Sequence, residues 1–171
     1  MSRAGFFGKL PARGDFVRGG LSRKTVAAWD GWVQSVLPAA RAAIGPEGWD
    51  AIWRAAPCWR LALPAALAGG TPFSGVWLPS TDAVGRAFPL LAGAEAAAPE
   101  DAFLAAIEAS CRAAIEGCEE PAALAARLAA LAVPPPAEAA PGRWWRGGDA
   151  AFTPAAMPDA ALFLRMLTEA S

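Results

Sequence analysis

The hydrophobic positions of this chain change period several times, and each period predicts a different element. Ala4 to Gly8 is a short apolar run that predicts a strand. From Ser22 onward, apolar residues recur near the 3.6-residue period of a helix, and Ser22 is placed to cap it. Pro46 suits the first turn of a second helix, which Pro57 ends. We therefore predict a strand, a loop over Lys9 to Leu21, and two helices.

Three near-continuous apolar runs follow, as is typical of strands that are buried on both faces. These runs are Cys58 to Leu63, Phe73 to Ser80, and Ala87 to Leu91. Helical spacing returns after Asp101, after Pro121, and over Leu162 to Leu167, and the segment RWWRGG after Gly142 predicts a short edge strand. Helices and strands are mixed along the chain, which indicates a layered α/β fold. At 171 residues the whole chain, 1–171, suits a single domain.

Composition narrows the classes of function. The net charge is −1 and the arginines are scattered among carboxylates, so we expect no nucleic-acid partner, which would call for a basic stripe. The sequence contains no histidine, which removes the commonest general base and every His-containing nucleophile pair or metal site. We also find no nucleophilic side chain paired with a different general base. The prediction is therefore a protein that is not an enzyme, with no catalytic residue, cofactor or metal.

The cysteines and the N-terminus predict a cytoplasmic protein. Cys58, Cys111 and Cys118 are an odd number without a CxxC motif, which favours three free, buried thiols in a reducing compartment. The N-terminus lacks the pattern of a signal peptide. Leu61 to Thr81 is uncharged and long enough to span a bilayer, but its prolines and glycines favour two buried strands and a loop. We expect no direct insertion into a membrane.

Two charged loops are the candidate functional segments. The first, in GKLPARGD, contains Lys9, Arg13 and Asp15, and the second, in STDAVGR, contains Asp82 and Arg86. Loops at strand ends are where α/β folds usually place their sites, so we expect these five side chains to converge at one end of the sheet. The alternative is a pair of polar turns whose glycines and ion pairs serve only to turn the chain.

The GKL segment also invites comparison with a phosphate-binding loop. The Walker spacing fails, because Arg3 stands where a glycine is needed and Leu10 stands where a serine or threonine is needed. A small nucleotide- or phosphometabolite-binding protein, or an enzyme, that uses Lys9, Arg13 and Asp15 is the alternative function.

Trp144 and Trp145 are adjacent in the predicted edge strand. Neighbouring side chains of a strand point to opposite faces, so one indole is expected to face inward and the other outward. An outward indole between Arg143 and Arg146 could anchor a partner or could cover the edge of the sheet.

Several blocks of sequence, taken in order, resemble one family. The blocks are GFFGKLPARGDFVRGGL (Gly5 to Leu21), WDGWVQ (Trp29 to Gln34), WRLAL (Trp59 to Leu63), GVWLPSTDAVGRAFPL (Gly75 to Leu90), and WW followed by MPDAALFLRML (Met157 to Leu167). Together they resemble the TagF family, also called ImpM, of type VI secretion-associated proteins. The resemblance implies a three-layer α/β/α sandwich, and we predict a mixed sheet at its centre.

The resemblance also implies a function. It implies a non-enzymatic, cytoplasmic accessory protein that holds bacterial type VI secretion off after translation, in opposition to a threonine-phosphorylation pathway. The implied partner is a forkhead-associated scaffold protein; a structural component of the apparatus is a further alternative. The candidate partner-binding residues are Lys9, Arg13, Asp15, Asp82, Arg86, Trp144 and Trp145.

Overall fold

The architecture is taken from a computed structural model, which describes residues 2–137, 142–146 and 151–169. Strands and helices are mixed along these residues, as the sequence pattern predicts. In chain order the elements are β1 (Ala4–Gly8), β2 (Val17–Gly19), α1 (Arg23–Ile44), α2 (Pro46–Ala55), β3 (Trp59–Leu63), α3 (Ala65–Ala68), β4 (Phe73–Leu78), β5 (Leu90–Glu95), α4 (Asp101–Glu116), α5 (Pro121–Ala129), β6 (Arg143–Trp145), β7 (Ala151–Phe152) and α6 (Ala160–Thr168).

The strands form one sheet in the order β2-β1-β5-β4-β3-β6-β7. Each strand pair within the described residues is antiparallel, so the prediction of a mixed sheet is wrong. The cause lies in the connections, because a parallel pair needs a crossover of about a dozen residues or more. The segments 9–16, 64–72 and 79–89 each join two neighbouring strands and are shorter than that.

Helices cover both faces of the sheet, so the predicted three-layer α/β/α sandwich is confirmed. On one face α1, α2 and α6 pack on a core that includes Trp29, Trp53 and Phe163. On the other face α4 and α5 pack through Leu104 and Leu128. Since both faces are covered, the alternating side chains of the central strands are apolar in both directions, as the continuous apolar runs indicate.

The segment Leu61 to Thr81 contains two strands, as the proline and glycine pattern predicts, with a short helix in the connection where a loop was expected. It contains the end of β3, the short helix α3 and the whole of β4. Among the described residues, no helix has the length and the hydrophobicity that a membrane span requires. The third apolar run is displaced relative to the prediction, because β5 begins at Leu90, after a bridge between Thr81 and Ala87 closes the preceding loop.

The N-terminus of α1 is tied to the end of β5. The Ser22 hydroxyl accepts a hydrogen bond from the Thr25 amide at 3.2 Å, which confirms Ser22 as the cap. The Glu95 carboxylate accepts from the Ser22 amide at 3.0 Å and from the Thr25 hydroxyl. Burial alone raises the pKa of Glu95, but these hydrogen bonds outweigh it and lower the pKa below its ordinary value.

Candidate functional site

Two loops meet at one end of the sheet. The first loop (residues 9–16) follows β1, and the second loop (residues 79–89) joins β4 to β5. Because β5 lies between β1 and β4 and is antiparallel to both, both loops leave the sheet at the same end. The Ala83 amide donates to the Arg13 carbonyl at 2.8 Å and so joins the two loops directly.

Asp82 is the centre of this arrangement. Its Oδ2 accepts from Lys9 Nζ at 3.0 Å and from Arg86 Nε at 2.6 Å. Its Oδ1 accepts from the backbone amides of Val84 at 3.0 Å and Arg86 at 2.9 Å. The residue is only 2% exposed, so the carboxylate is buried with both oxygens bonded. The predicted convergence is confirmed for Lys9, Asp82 and Arg86, and Asp82 fixes the shape of the second loop.

These contacts change the acidity of the Asp82 carboxyl. Burial alone raises its pKa, but the hydrogen bonds from Arg86 and Lys9 outweigh burial and hold the pKa well below its ordinary value of 3.8. A carboxyl whose pKa is lower in the folded state contributes stability above its ordinary pKa. That contribution is lost as the pH falls below 3.8 toward the folded-state value.

Measuring the free energy of unfolding as a function of pH tests this contribution of Asp82. We expect the free energy of unfolding to fall more steeply below pH 3.8 in the wild type than in a Lys9→Met/Asp82→Asn variant, which lacks the titrating group. Urea unfolding at several pH values between about pH 6 and pH 2 measures both slopes. Parallel slopes for the two proteins would show that the pKa of Asp82 is unchanged on folding.

Lys9 is held inside the structure. Its side chain is 11% exposed, and its carbonyl accepts from the Ser80 hydroxyl at 2.8 Å. The backbone just before Lys9 packs closely against Pro89, and this requires a glycine at position 8. The φ of Gly8 is +143°, and a Cβ there would lie 2.0 Å from the Pro89 carbonyl oxygen. The ammonium is bonded to Asp82, so it is not presented to a bound phosphate as the phosphate-loop alternative requires.

Arg13, Asp15 and Arg86 lie at the surface of the two loops. The Arg13 side chain is 58% exposed and pairs with Glu120, at the start of α5, at 2.6 Å. The Arg86 side chain is 64% exposed, and its Nη2 donates to the Gly14 carbonyl at 3.0 Å. Asp15 is exposed and has no ion pair with a described residue. The Arg13–Glu120 pair is exposed and contributes little stability, so Arg13 and Asp15 are free to serve another purpose, whereas Arg86 also bonds to the buried Asp82 carboxylate.

Two apolar side chains that the sequence reasoning missed lie on the same loops. Phe16 is 48% exposed and Val84 is 73% exposed, and among the described residues they are the large hydrophobic side chains that are exposed. The Phe16 ring packs edge to face on Phe88 at 4.7 Å and stacks on Phe7 at 5.9 Å. The one available signal was an apolar residue, Val84, inside a polar turn that ends at Gly85.

Trp144 and Trp145 lie away from the two loops and are both buried, with exposures of 0% and 7%. The expectation of one outward indole is wrong, because helices cover both faces of the sheet. Trp144 packs at 5.8 Å from Trp29 in one core, and Trp145 lies in the other. The expectation of an edge strand is also wrong, because β6 lies between β3 and β7.

The described residues offer little reactive chemistry. Within ranges 2–137, 142–146 and 151–169, no three Cys, Asp or Glu side chains are grouped as metal ligands would be. All three cysteines are free, as predicted, but Cys118 is exposed rather than buried. Burial raises the pKa of the Cys111 thiol to about 12, and it also raises that of Cys58, so neither is an activated nucleophile.

A match to a known protein family identifies the class of this protein. The family model that matches this chain, over residues 5–131, describes a domain associated with the type VI secretion system. The chain belongs to this family, the TagF N-terminal domain family. The matched range contains both loops and Glu120, whereas Trp144 and Trp145 lie outside it.

A solved crystal structure has the same fold as this chain. The chain is similar to PA0076 from Pseudomonas aeruginosa PAO1, whose crystal structure superimposes with a TM-score of 0.85. The two are 28% identical, and the match covers 98% of this chain and 95% of that one. A search of curated proteins found no match.

Proposed function

We propose that this protein is a cytoplasmic negative regulator of bacterial type VI secretion that acts after translation, by binding another protein and without catalysis. We propose a forkhead-associated scaffold protein of the secretion system as the partner. Family membership supports the link to type VI secretion. One observation carries the binding role: Phe16 and Val84 are exposed on two charged loops that the hydrogen bond from the Ala83 amide to the Arg13 carbonyl joins.

The composition of this surface suits a protein interface. Exposed apolar groups on a monomer mark interaction sites when they are grouped, and the energetic centres of interfaces are enriched in aromatic residues and arginine. The two loops that present Phe16 and Val84 also carry the exposed side chains of Arg13, Asp15 and Arg86. Arg13, Asp15 and Arg86 are the surface members of the predicted partner-binding set.

The interior members of that set make the surface rigid. Lys9 and Asp82 are bonded beneath the loops, and the indole nitrogen of Trp53 donates to the Ser80 carbonyl at 2.8 Å from the α2 side. A surface that is already ordered loses less conformational entropy when a partner binds. We therefore assign Lys9 and Asp82 a positioning role and the exposed residues the contact role.

Binding also fits the chemistry better than catalysis does. The sequence has no histidine, and burial raises the pKa values of the Cys58 and Cys111 thiols. The lysine in the first loop is bonded to Asp82. These observations support a regulator that works by contact.

Co-purification with the forkhead-associated scaffold protein of the same operon tests the proposal. We expect the wild type to retain the scaffold and Arg13→Ala and Val84→Asp to lose most of it, because each changes an exposed side chain and leaves the bonds of Lys9 and Arg86 to Asp82 in place. The matched control for Arg13→Ala is Arg165→Ala, which also removes one exposed, ion-paired guanidinium group. Equal retention by all variants, or none by the wild type, would contradict the proposal.

A secretion assay tests the direction of regulation. A deletion strain should secrete more than its parent, and the gene supplied in trans should restore repression. If the complemented strain secretes as much as the deletion strain, the protein is not a repressor. Stoichiometric recovery of the protein in purified secretion assemblies would instead favour a structural component.

A further inference from the structure

A groove of about 480 Å³ lies between strand β2 and helix α1. Phe7 and Phe16 line it from the sheet side, and Val26 lines it from the helix. Arg18 and Arg23 line it as well, and both are exposed. Since Arg18 is paired in register with Phe7, their side chains project from the same face of the sheet, toward α1. We call this feature the β2–α1 groove.

Strand β2 is the edge of the sheet. It pairs with β1 on one side, and on its other side no described residue supplies a strand. An edge strand presents backbone N–H and C=O groups that can pair with an added chain. Val17, Arg18 and Gly19 make no backbone hydrogen bond beyond that pairing with any described residue. The groove is therefore bordered by an open hydrogen-bonding edge.

The charge around the groove is positive. The segment from Arg13 to Lys24 contains four basic residues and one acidic residue, although the whole chain has a net charge of −1. Arg18 and Arg23 form no ion pair with a described residue, whereas Asp30, which also lines the groove, accepts a hydrogen bond from Gln34 at 3.4 Å. The two guanidinium groups at the groove are thus available to carboxylates of another chain.

We propose that the β2–α1 groove binds an acidic polypeptide segment in extended conformation, which pairs with the edge of β2 as an additional strand. The inference rests on the proposed function, since the segment would belong to the protein partner. Such a strand would lie about 4.8 Å outside β2, and alternate side chains would point toward α1. Among the side chains that point toward α1, apolar ones would contact Phe16 and Val26, and carboxylates would reach Arg18 and Arg23.

Peptide selection on the full chain tests the inference without assuming the partner. A phage-displayed library of random linear peptides of about 12 residues is selected on the wild-type protein, and enriched peptides are synthesised for affinity measurements. We expect enriched sequences to carry both acidic and apolar residues at alternate positions, because those positions share the face of the added strand that points toward α1. We also expect Arg18→Glu/Arg23→Glu to weaken their binding about tenfold or more, and Arg54→Glu, another exposed arginine, to leave it unchanged.

Hydrogen exchange tests the strand pairing. Bound peptide should slow exchange of those backbone amides of Val17 to Gly19 that point away from β1. Circular dichroism checks that the charge-reversal variant is folded, and Arg18→Gln/Arg23→Gln replaces it if it is not. The inference is overturned if no peptide is enriched, if enriched peptides are not acidic, if the arginine variants bind as well as Arg54→Glu, or if β2 gains no protection.

The outcomes separate this inference from the proposed function. If acidic peptides bind at the groove but the scaffold protein does not co-purify, the proposed partner is wrong and the groove assignment stands. If the scaffold co-purifies and the Arg18 and Arg23 variants change neither scaffold nor peptide binding, the groove assignment is wrong and the proposed function stands.

Discussion

Asp82→Ala should lower the free energy of unfolding by about 3–5 kcal/mol, which is the cost of breaking a buried ion pair by removing one partner. The substitution leaves the Lys9 ammonium, on a side chain that is only 11% exposed, without its carboxylate. It also removes the acceptor of the backbone amides of Val84 and Arg86. Urea unfolding followed by tryptophan fluorescence measures the loss.

Asp15→Ala is the matched control for this prediction. Both residues are aspartates in the two loops, but Asp15 is exposed, so its removal should change stability by no more than about 0.5 kcal/mol. Lys9→Met/Asp82→Asn should be less destabilising than Asp82→Ala, because it leaves no unpaired charge in the interior. Equal losses for Asp82→Ala and Asp15→Ala would mean that the buried pair contributes no stability.

The difference between these two aspartates also shows how far sequence reasoning reaches at the site. Strand-end loops are expected to carry functional residues, so convergence of the two charged loops could be predicted. Asp15 and Asp82 each lie within four residues of a glycine and an arginine, and nothing local separates the exposed aspartate from the buried one. Burial of Asp82 depends on Lys9, which is 73 residues away in sequence, and on the close backbone approach at Gly8.

For the fold, as for the site, local features could be predicted from the sequence and long-range contacts could not. Local signals such as the Ser22 cap, Pro46 and the apolar runs placed the helices and strands, because those signals act within a few residues. The antiparallel sheet and the position of β6 depend on which strands meet across long separations, which periodicity does not encode. Trp144 and Trp145 illustrate this. Their side chains lie on opposite faces of the sheet, as expected for neighbours on a strand, but helices cover both faces and each indole is buried in a core.

Trp29→Ala should also cost about 3–5 kcal/mol of unfolding free energy, through lost burial and the cavity it leaves. Trp29 is 2% exposed and connects α1 to the sheet, with ring centroids 5.3 Å from Trp32, 6.1 Å from Phe73 and 5.8 Å from Trp144. Its indole nitrogen has no hydrogen-bond partner among the described residues, so the loss is one of packing. Urea unfolding followed by far-ultraviolet circular dichroism measures it.

Trp29→Phe and a double-mutant cycle make the second prediction specific. Trp29→Phe keeps an aromatic ring and loses no hydrogen bond to a described residue, so it should cost clearly less than Trp29→Ala. If the indole contact joins α1 to β6, the losses in Trp29→Ala and Trp144→Ala should not add, with a coupling of about 0.5–3 kcal/mol. Additive losses would mean that Trp29 and Trp144 stabilise the core independently of each other.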